Sequence, residues 1–131
     1  MSGHPGSAVS LSLPASAFSV AIARQVVSSV GATLELPYDA IDDLRLAVDE
    51  GCAYLLKSQS EAETLEIVLR PAPGVVEVTI SVPAPTRTWP PSGAEDSLAW
   101  YLLSTLSDDA RFVRSGERVG IQLTKRADPR S

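Results

Sequence analysis

At 131 residues the chain fits one domain, because a single hydrophobic core is usual for lengths of roughly 100–200 residues. Its 44% hydrophobic and 21% charged residues give ordinary globular composition and exclude a disordered chain except at its two ends. A net charge of -5 with a pI near 4.7 argues against direct nucleic-acid binding, which rests on a surplus of Lys and Arg.

Residues 1–7 form an expected flexible tail with Gly3, Pro5 and Gly6; His4 lies in it without metal-ligand neighbours and takes no role. No positive start leads into an apolar run there, and no stretch approaches the ~18 apolar residues of a membrane span. A cytoplasmic protein without membrane attachment is expected. Ala8–Leu13 alternates apolar and polar like a half-buried strand, and Pro14 ends it. Ser16 is placed to cap a first helix whose stripe is Phe18, Ile22, Val26 and Val30, widened by Val27, ending near Gly31.

Pro37 and Tyr38 lead into a longer helix with Asp39 as cap and Asp42 and Asp43 in its first turn, where acids complement the helix dipole. Its stripe is Ile41, Leu44, Val48, Cys52 and Leu55, which leaves Asp42, Asp49 and Glu50 off that face. Cys52 is the single cysteine; it excludes an internal disulfide, fits a reducing compartment and reads as a small core hydrophobe rather than a reactive thiol.

Two strands follow, Thr64–Arg70 and Val75–Val82, joined by a hairpin turn at residues 71–74. Residues 83–95 hold Pro83, Pro85, Pro90, Pro91 and Gly93 and read as a loop. Trp89 in that loop fits no helix stripe and is expected either to fold over the neighbouring cleft or to meet a partner. A third helix, Asp96–Leu106, carries Leu98, Leu102, Leu103 and Leu106 with Trp100 and Tyr101 read as core aromatics. Strands Ala110–Arg114 and Val119–Lys125 close the chain; Lys125, Arg126 and Arg130 are expected to be solvated.

This order predicts an α+β fold, a two-layer α/β sandwich with three helices on one face of a mixed, mostly antiparallel sheet. The domain is expected over residues 8–126, with flexible tails at 1–7 and 127–131.

The stretch Asp43–Cys52 continued by Ala53–Lys57 resembles the first ATP-binding box of the GHKL superfamily, the histidine-kinase-like ATPases, in its RsbW-like branch. That box reads roughly D-L-x-x-A-V-x-E-A-C-x-N-x-x-K-H and is matched at Asp43, Leu44, Ala47, Val48, Glu50, Cys52 and Lys57. In it a Glu and an Asn one helical turn apart orient an attacking hydroxyl and hold Mg²⁺. Here Glu50 keeps the acid, while Tyr54 stands at the Asn position and Ser58 at the His. The second box, D-x-G-x-G, falls on Ile80–Pro85, with Ser81 among positions that offer neither acid nor glycine. The third box aligns its phosphate-binding glycines with Ser97 and Ala99.

The resemblance therefore implies an anti-sigma factor that sequesters an alternative sigma factor and is countered by a STAS-type anti-anti-sigma protein. It implies a homodimer and places Arg24 at the partner interface, although by its sequence alone Arg24 is an ordinary solvated helix residue. Glu50 is then a vestigial general base, and no cofactor is expected. The alternative is an ATP- and Mg²⁺-dependent serine kinase of the antagonist.

Overall fold

The computed structural model describes residues 7–84 and 88–128; His4, Pro85 and Arg130 lie outside them. The chain runs β1 (Val9–Pro14), α1 (Ala17–Thr33), α2 (Tyr38–Ser58), β2 (Thr64–Ala72), β3 (Val75–Pro83), a 3₁₀ turn (Ala94–Asp96), α3 (Leu98–Leu106), β4 (Asp109–Ser115) and β5 (Arg118–Arg126). The element order is the expected one. The strand order is β1-β2-β3-β5-β4, and every neighbouring pair is antiparallel rather than mixed. The reason is topological: the α3 crossover makes β4 parallel to β3, but the β4–β5 hairpin inserts β5 between them.

Alternation along the strands sorts the residues onto two faces. Leu65, Ile67 and Leu69 of β2, Val76, Val78 and Ile80 of β3, and Val119, Ile121 and Leu123 of β5 are fully buried. They meet Leu44, Val48, Cys52 and Leu55 of α2, each also inaccessible to solvent. Burying each of these larger side chains stabilises the fold by roughly 1.5–3 kcal/mol before entropy is counted. The opposite sheet face carries Glu66, Arg70, Glu77, Thr79 and Ser81, with Val68 and Val113 among them.

The first helix departs from expectation by one residue. Its buried side is Ser19, Ala23, Val27 and Gly31, whereas Phe18 is 73% exposed and Val26 and Val30 only flank the core. Small residues let α1 lie close against α2: a Cβ on Gly31 would stand 3.0 Å from Ile41 Cγ1. The predicted stripe of large side chains was thus the rim of the contact. Ser16 precedes α1 without a side-chain cap, and Pro37, not Asp39, precedes α2.

Three further corrections concern the C-terminal half. The third helix begins at Leu98, after the 3₁₀ turn, and its Leu98 and Tyr101 face outward, 72% and 65% exposed. Lys125 is not solvated. It is buried, with Nζ donating to the Leu106 carbonyl at 3.0 Å and to Asp43 Oδ2 at 3.4 Å, which ties the end of α3 to the start of α2. Ala127, expected in the tail, packs on the core and donates its N–H to the Gly74 carbonyl at 2.8 Å.

Candidate functional site

Helix α2 has three usable sides. One is core; the second, with α1, forms a groove of about 390 Å³ lined by Ala17, Val20, Arg24, Asp49, Glu50 and Leu56, among others. Arg24 Nη1 lies 3.4 Å from Asp49 Oδ2 across the groove. On the far side of that pair is a second hollow of about 170 Å³, bounded by Arg24, Asp42, Arg45, Leu46 and Asp49, where Arg45 pairs with Asp42 at 3.3 Å. Arg24 therefore stands between two hollows, its side chain 41% exposed. A pair this open contributes at most about 1 kcal/mol. Its Nε is buried and has no hydrogen-bond partner among the described residues.

Glu50 borders the same groove and makes no hydrogen bond or ion pair among the described residues. It does not meet Arg24; Asp49, one position earlier, does.

The third side of α2 carries Tyr54, and here the structure brings together residues that the sequence left apart. Tyr54 packs against Trp89 (ring centroids 6.3 Å) and Phe112 (6.1 Å). Trp89 meets Phe112 edge-on at 5.6 Å and 90°, and Trp100 stacks on the same phenyl ring at 4.2 Å and 16°. The Trp89 Nε1–H donates to the Gly120 carbonyl at 3.1 Å. Such offset and edge-to-face pairs add about 0.5–1.5 kcal/mol each beyond their burial. Burial raises the Tyr54 phenol above its ordinary value, so it is neutral near pH 7. Trp89 thus packs against α2 and β4.

Phe112 escaped the sequence reading because a short strand of seven residues, Asp109–Ser115, gives few alternations to sort its faces. Its partner Ile121 in β5 is buried, and that pairing turns the ring toward the helices.

The remaining candidates are scattered. Ser81 lies on the sheet face opposite the helices, where its Oγ and carbonyl accept from Arg118 Nε and Nη2, both at 3.0 Å. Arg118 also faces Glu66 at 3.7 Å. At this end of β3 the neighbouring residue Val82 is fully buried. Ser97 caps α3, accepting from the Trp100 N–H at 3.1 Å and donating to the Ala94 carbonyl at 2.6 Å, and Ala99 follows within the first turn. A helix start satisfied by its own side chain is a weaker anion site than an open one.

Cys52 is a core residue. Burial, helped by the nearby Asp49 carboxylate, pushes its thiol up to about 12. A thiol outside a fold ordinarily titrates near 9.0, so above that pH the unfolded state loses a proton the folded state keeps. Stability associated with Cys52 is present below pH 9 and falls as pH rises toward 12, with a limiting slope of about 1.4 kcal/mol per pH unit. Urea melts at pH 8 and pH 10.5 should show a larger loss for the native chain than for Cys52→Ala; equal losses would contradict the assignment.

Residues 13–125 match the family model of the histidine kinase-like ATPase domain. The chain belongs to this family, in its RsbW-like branch. It is 34% identical over 126 residues to the anti-sigma-F factor RsbW of Mycobacterium tuberculosis, in each of two strains, covering 91% of this chain and 73% of the relative. A crystal structure of the RsbU and RsbW domains of a Mycobacterium tuberculosis protein superposes with a TM-score of 0.71 at 16% identity. That alignment covers 92% of this chain and 32% of the solved one, so this RsbW-like chain spans about a third of that protein. Among the described residues no helix is long and apolar enough to cross a membrane, and no group of three or more His, Cys, Asp or Glu is arranged to hold a metal ion.

Proposed function

We propose that this RsbW-like chain is an anti-sigma factor that sequesters an alternative sigma factor by direct contact, acts as a cytoplasmic homodimer, is released by a STAS-type antagonist and phosphorylates nothing. The observation that carries the nucleotide-free part is the Tyr54–Trp89–Phe112 cluster. Tyr54 stands where the family resemblance expects the Mg²⁺-holding amide. A neutral phenol packed among aromatic rings is a poor ligand for a hard cation that demands oxygen donors in near-octahedral array. The end of β3 offers buried Val82 on one face and Arg118-bound Ser81 on the other, and neither side chain is the acid that would meet an adenine amino group. At the third box, the α3 N-terminus is capped by Ser97. Mg²⁺–ATP does not fit these residues, and Glu50 is left without the substrate it would deprotonate.

What supports partner binding is the α1–α2 surface. Arg24 presents a rigid fork of donors between two hollows, flanked by apolar Val20, Leu46 and Leu56. An interface anchor has this composition, an arginine set among desolvating apolar groups. The acidic balance of the whole chain favours encounter with basic partner segments.

The reading is tested by capturing partners on the tagged chain from its own cells, then incubating it with the recovered STAS protein and radiolabelled ATP. Recovery of a sigma factor and no labelled STAS serine is expected. Labelling that depends on Glu50 would establish the kinase instead.

A further inference from the structure

The two edges of the sheet are defended differently. β4 carries Asp109, Arg111 and Arg114, charged side chains of the kind that discourage another strand from pairing. β1, the opposite edge, reads Val-Ser-Leu-Ser-Leu-Pro; it holds no charged residue, and its Ser10 and Ser12 are exposed. Ala15, just past the strand, donates its N–H to the Glu63 carbonyl at 3.0 Å and continues the register in which Leu13 faces Leu65 and Leu11 faces Ile67. Antiparallel ladders alternate. Val9, Leu11 and Leu13 therefore direct their N–H and C=O groups to β2, while those of Ser10 and Ser12 point away from the sheet. Among the described residues no strand meets them. Pro14 lacks the N–H that would lie on the same side, so a ladder added here stops at that residue.

The segment is also symmetric about Leu11. A second copy running antiparallel, with Leu11 opposite Leu11, sets Val9 against Leu13 and Ser10 against Ser12, apolar on apolar and hydroxyl on hydroxyl. In that register the outward N–H and C=O of each serine face those of its counterpart, as a hydrogen-bonded antiparallel pair requires. Each copy carries a net charge of -5, yet neither brings a charged residue to this strand. Pairing β1 with the β4 edge of another copy would meet Asp109, Arg111 and Arg114 and would repeat head to tail, whereas β1 on β1 closes on a two-fold axis. We propose that β1 is the dimerisation edge of this chain: two copies join through it, antiparallel about Leu11, into one continuous sheet. The inference rests on the homodimer read above and gives it an interface.

Sedimentation equilibrium is run on the native chain and three variants, each checked for native circular dichroism. Ser12→Pro removes an outward N–H and leaves the bonds to β2 intact; it should raise the dimer dissociation constant about tenfold or more. Ser10→Lys combined with Ser12→Lys sets like charges opposite each other and should give a folded monomer. Ser10→Glu combined with Ser12→Lys sets Glu against Lys on both sides of the axis and should dimerise at least as well as the native chain, an outcome that a general sensitivity of the edge to charge would not produce. Amide exchange at Ser10 and Ser12 should slow as the native chain is concentrated, and exchange along β4 should not. A dimer that survives in the double-lysine variant overturns the β1 edge and leaves the homodimer standing. A native chain that stays monomeric at every concentration overturns the homodimer and this interface with it.

Discussion

Gly120→Ala is expected to destabilise the fold by about 3 kcal/mol, lowering the unfolding temperature by roughly 10 °C. A Cβ built at this position collides with the Ile80 carbonyl oxygen and comes within 3.0 Å of Ser81 Cβ. Backbone cannot retreat like the tip of a flexible side chain, and Ile80 itself is locked by its pairing with Ile67 and Ile121. The strain should spread to Trp89, whose hydrogen bond ends on the Gly120 carbonyl, and its fluorescence should shift toward that of an exposed indole. Gly116→Ala gives the contrast: nothing lies within 4 Å of its added Cβ, and the cost there is only the left-handed φ of 61°, about 1 kcal/mol. Calorimetric unfolding of both variants checks the difference; equal losses would mean that the β3–β5 contact gives way more easily than its geometry implies.

Arg24→Glu should weaken binding of the captured sigma factor about a hundredfold, roughly 2.7 kcal/mol. The substitution removes the donor fork and sets a carboxylate against Asp49, which now lies 3.4 Å from the guanidinium. Folding should suffer little, since the pair is half-exposed and contributes below about 1 kcal/mol. Arg24→Lys keeps the charge and loses the planar fork, and about a tenfold loss is expected. Surface plasmon resonance with the immobilised sigma factor measures both. An Arg24→Glu variant that binds like the native chain would remove the α1–α2 surface from the interface.

The fold was legible where apolar residues repeat over several turns or alternations. Leu44, Val48, Cys52 and Leu55 mark the buried side of α2, and the β2–β3 hairpin shows in the Pro- and Gly-bearing stretch between two alternating runs, although Pro71 and Ala72 still pair with Val76 and Val75 and only Pro73 and Gly74 turn. Helix α1 misled because it packs through Ser19, Ala23 and Gly31, whose smallness is the point of the contact, while larger neighbours such as Phe18 sit outside it. A hydrophobicity count favours large side chains and misses close approach.

The sheet's polarity had a different origin. Antiparallel pairing throughout follows from β5 slipping between β3 and β4, a long-range arrangement that no local pattern encodes. Lys125 illustrates the same limit: near the chain's end it reads as solvated, yet its partners Asp43 and Leu106 stand 82 and 19 residues away.

The candidate site was legible at single positions and not as an assembly. Tyr54 at the amide's place could be read directly from the motif, and so could the want of an acid in Ile80–Pro85. That Tyr54, Trp89, Phe112 and Trp100 form one cluster could not be seen, because they come from two helices, a strand and an irregular segment. Arg24 was picked out by resemblance, and its ion-pair partner Asp49 comes from the facing helix, a contact that no local pattern shows.

The most direct test of a nucleotide-free binding module is calorimetric titration of the purified chain with its sigma factor, in buffer alone and with Mg²⁺–ATP at about a millimolar. The account predicts the same dissociation constant in both, because the aromatic cluster leaves the nucleotide nothing to organise. Tighter binding with Mg²⁺–ATP, abolished by Glu50→Ala or by widening the cluster, would contradict it.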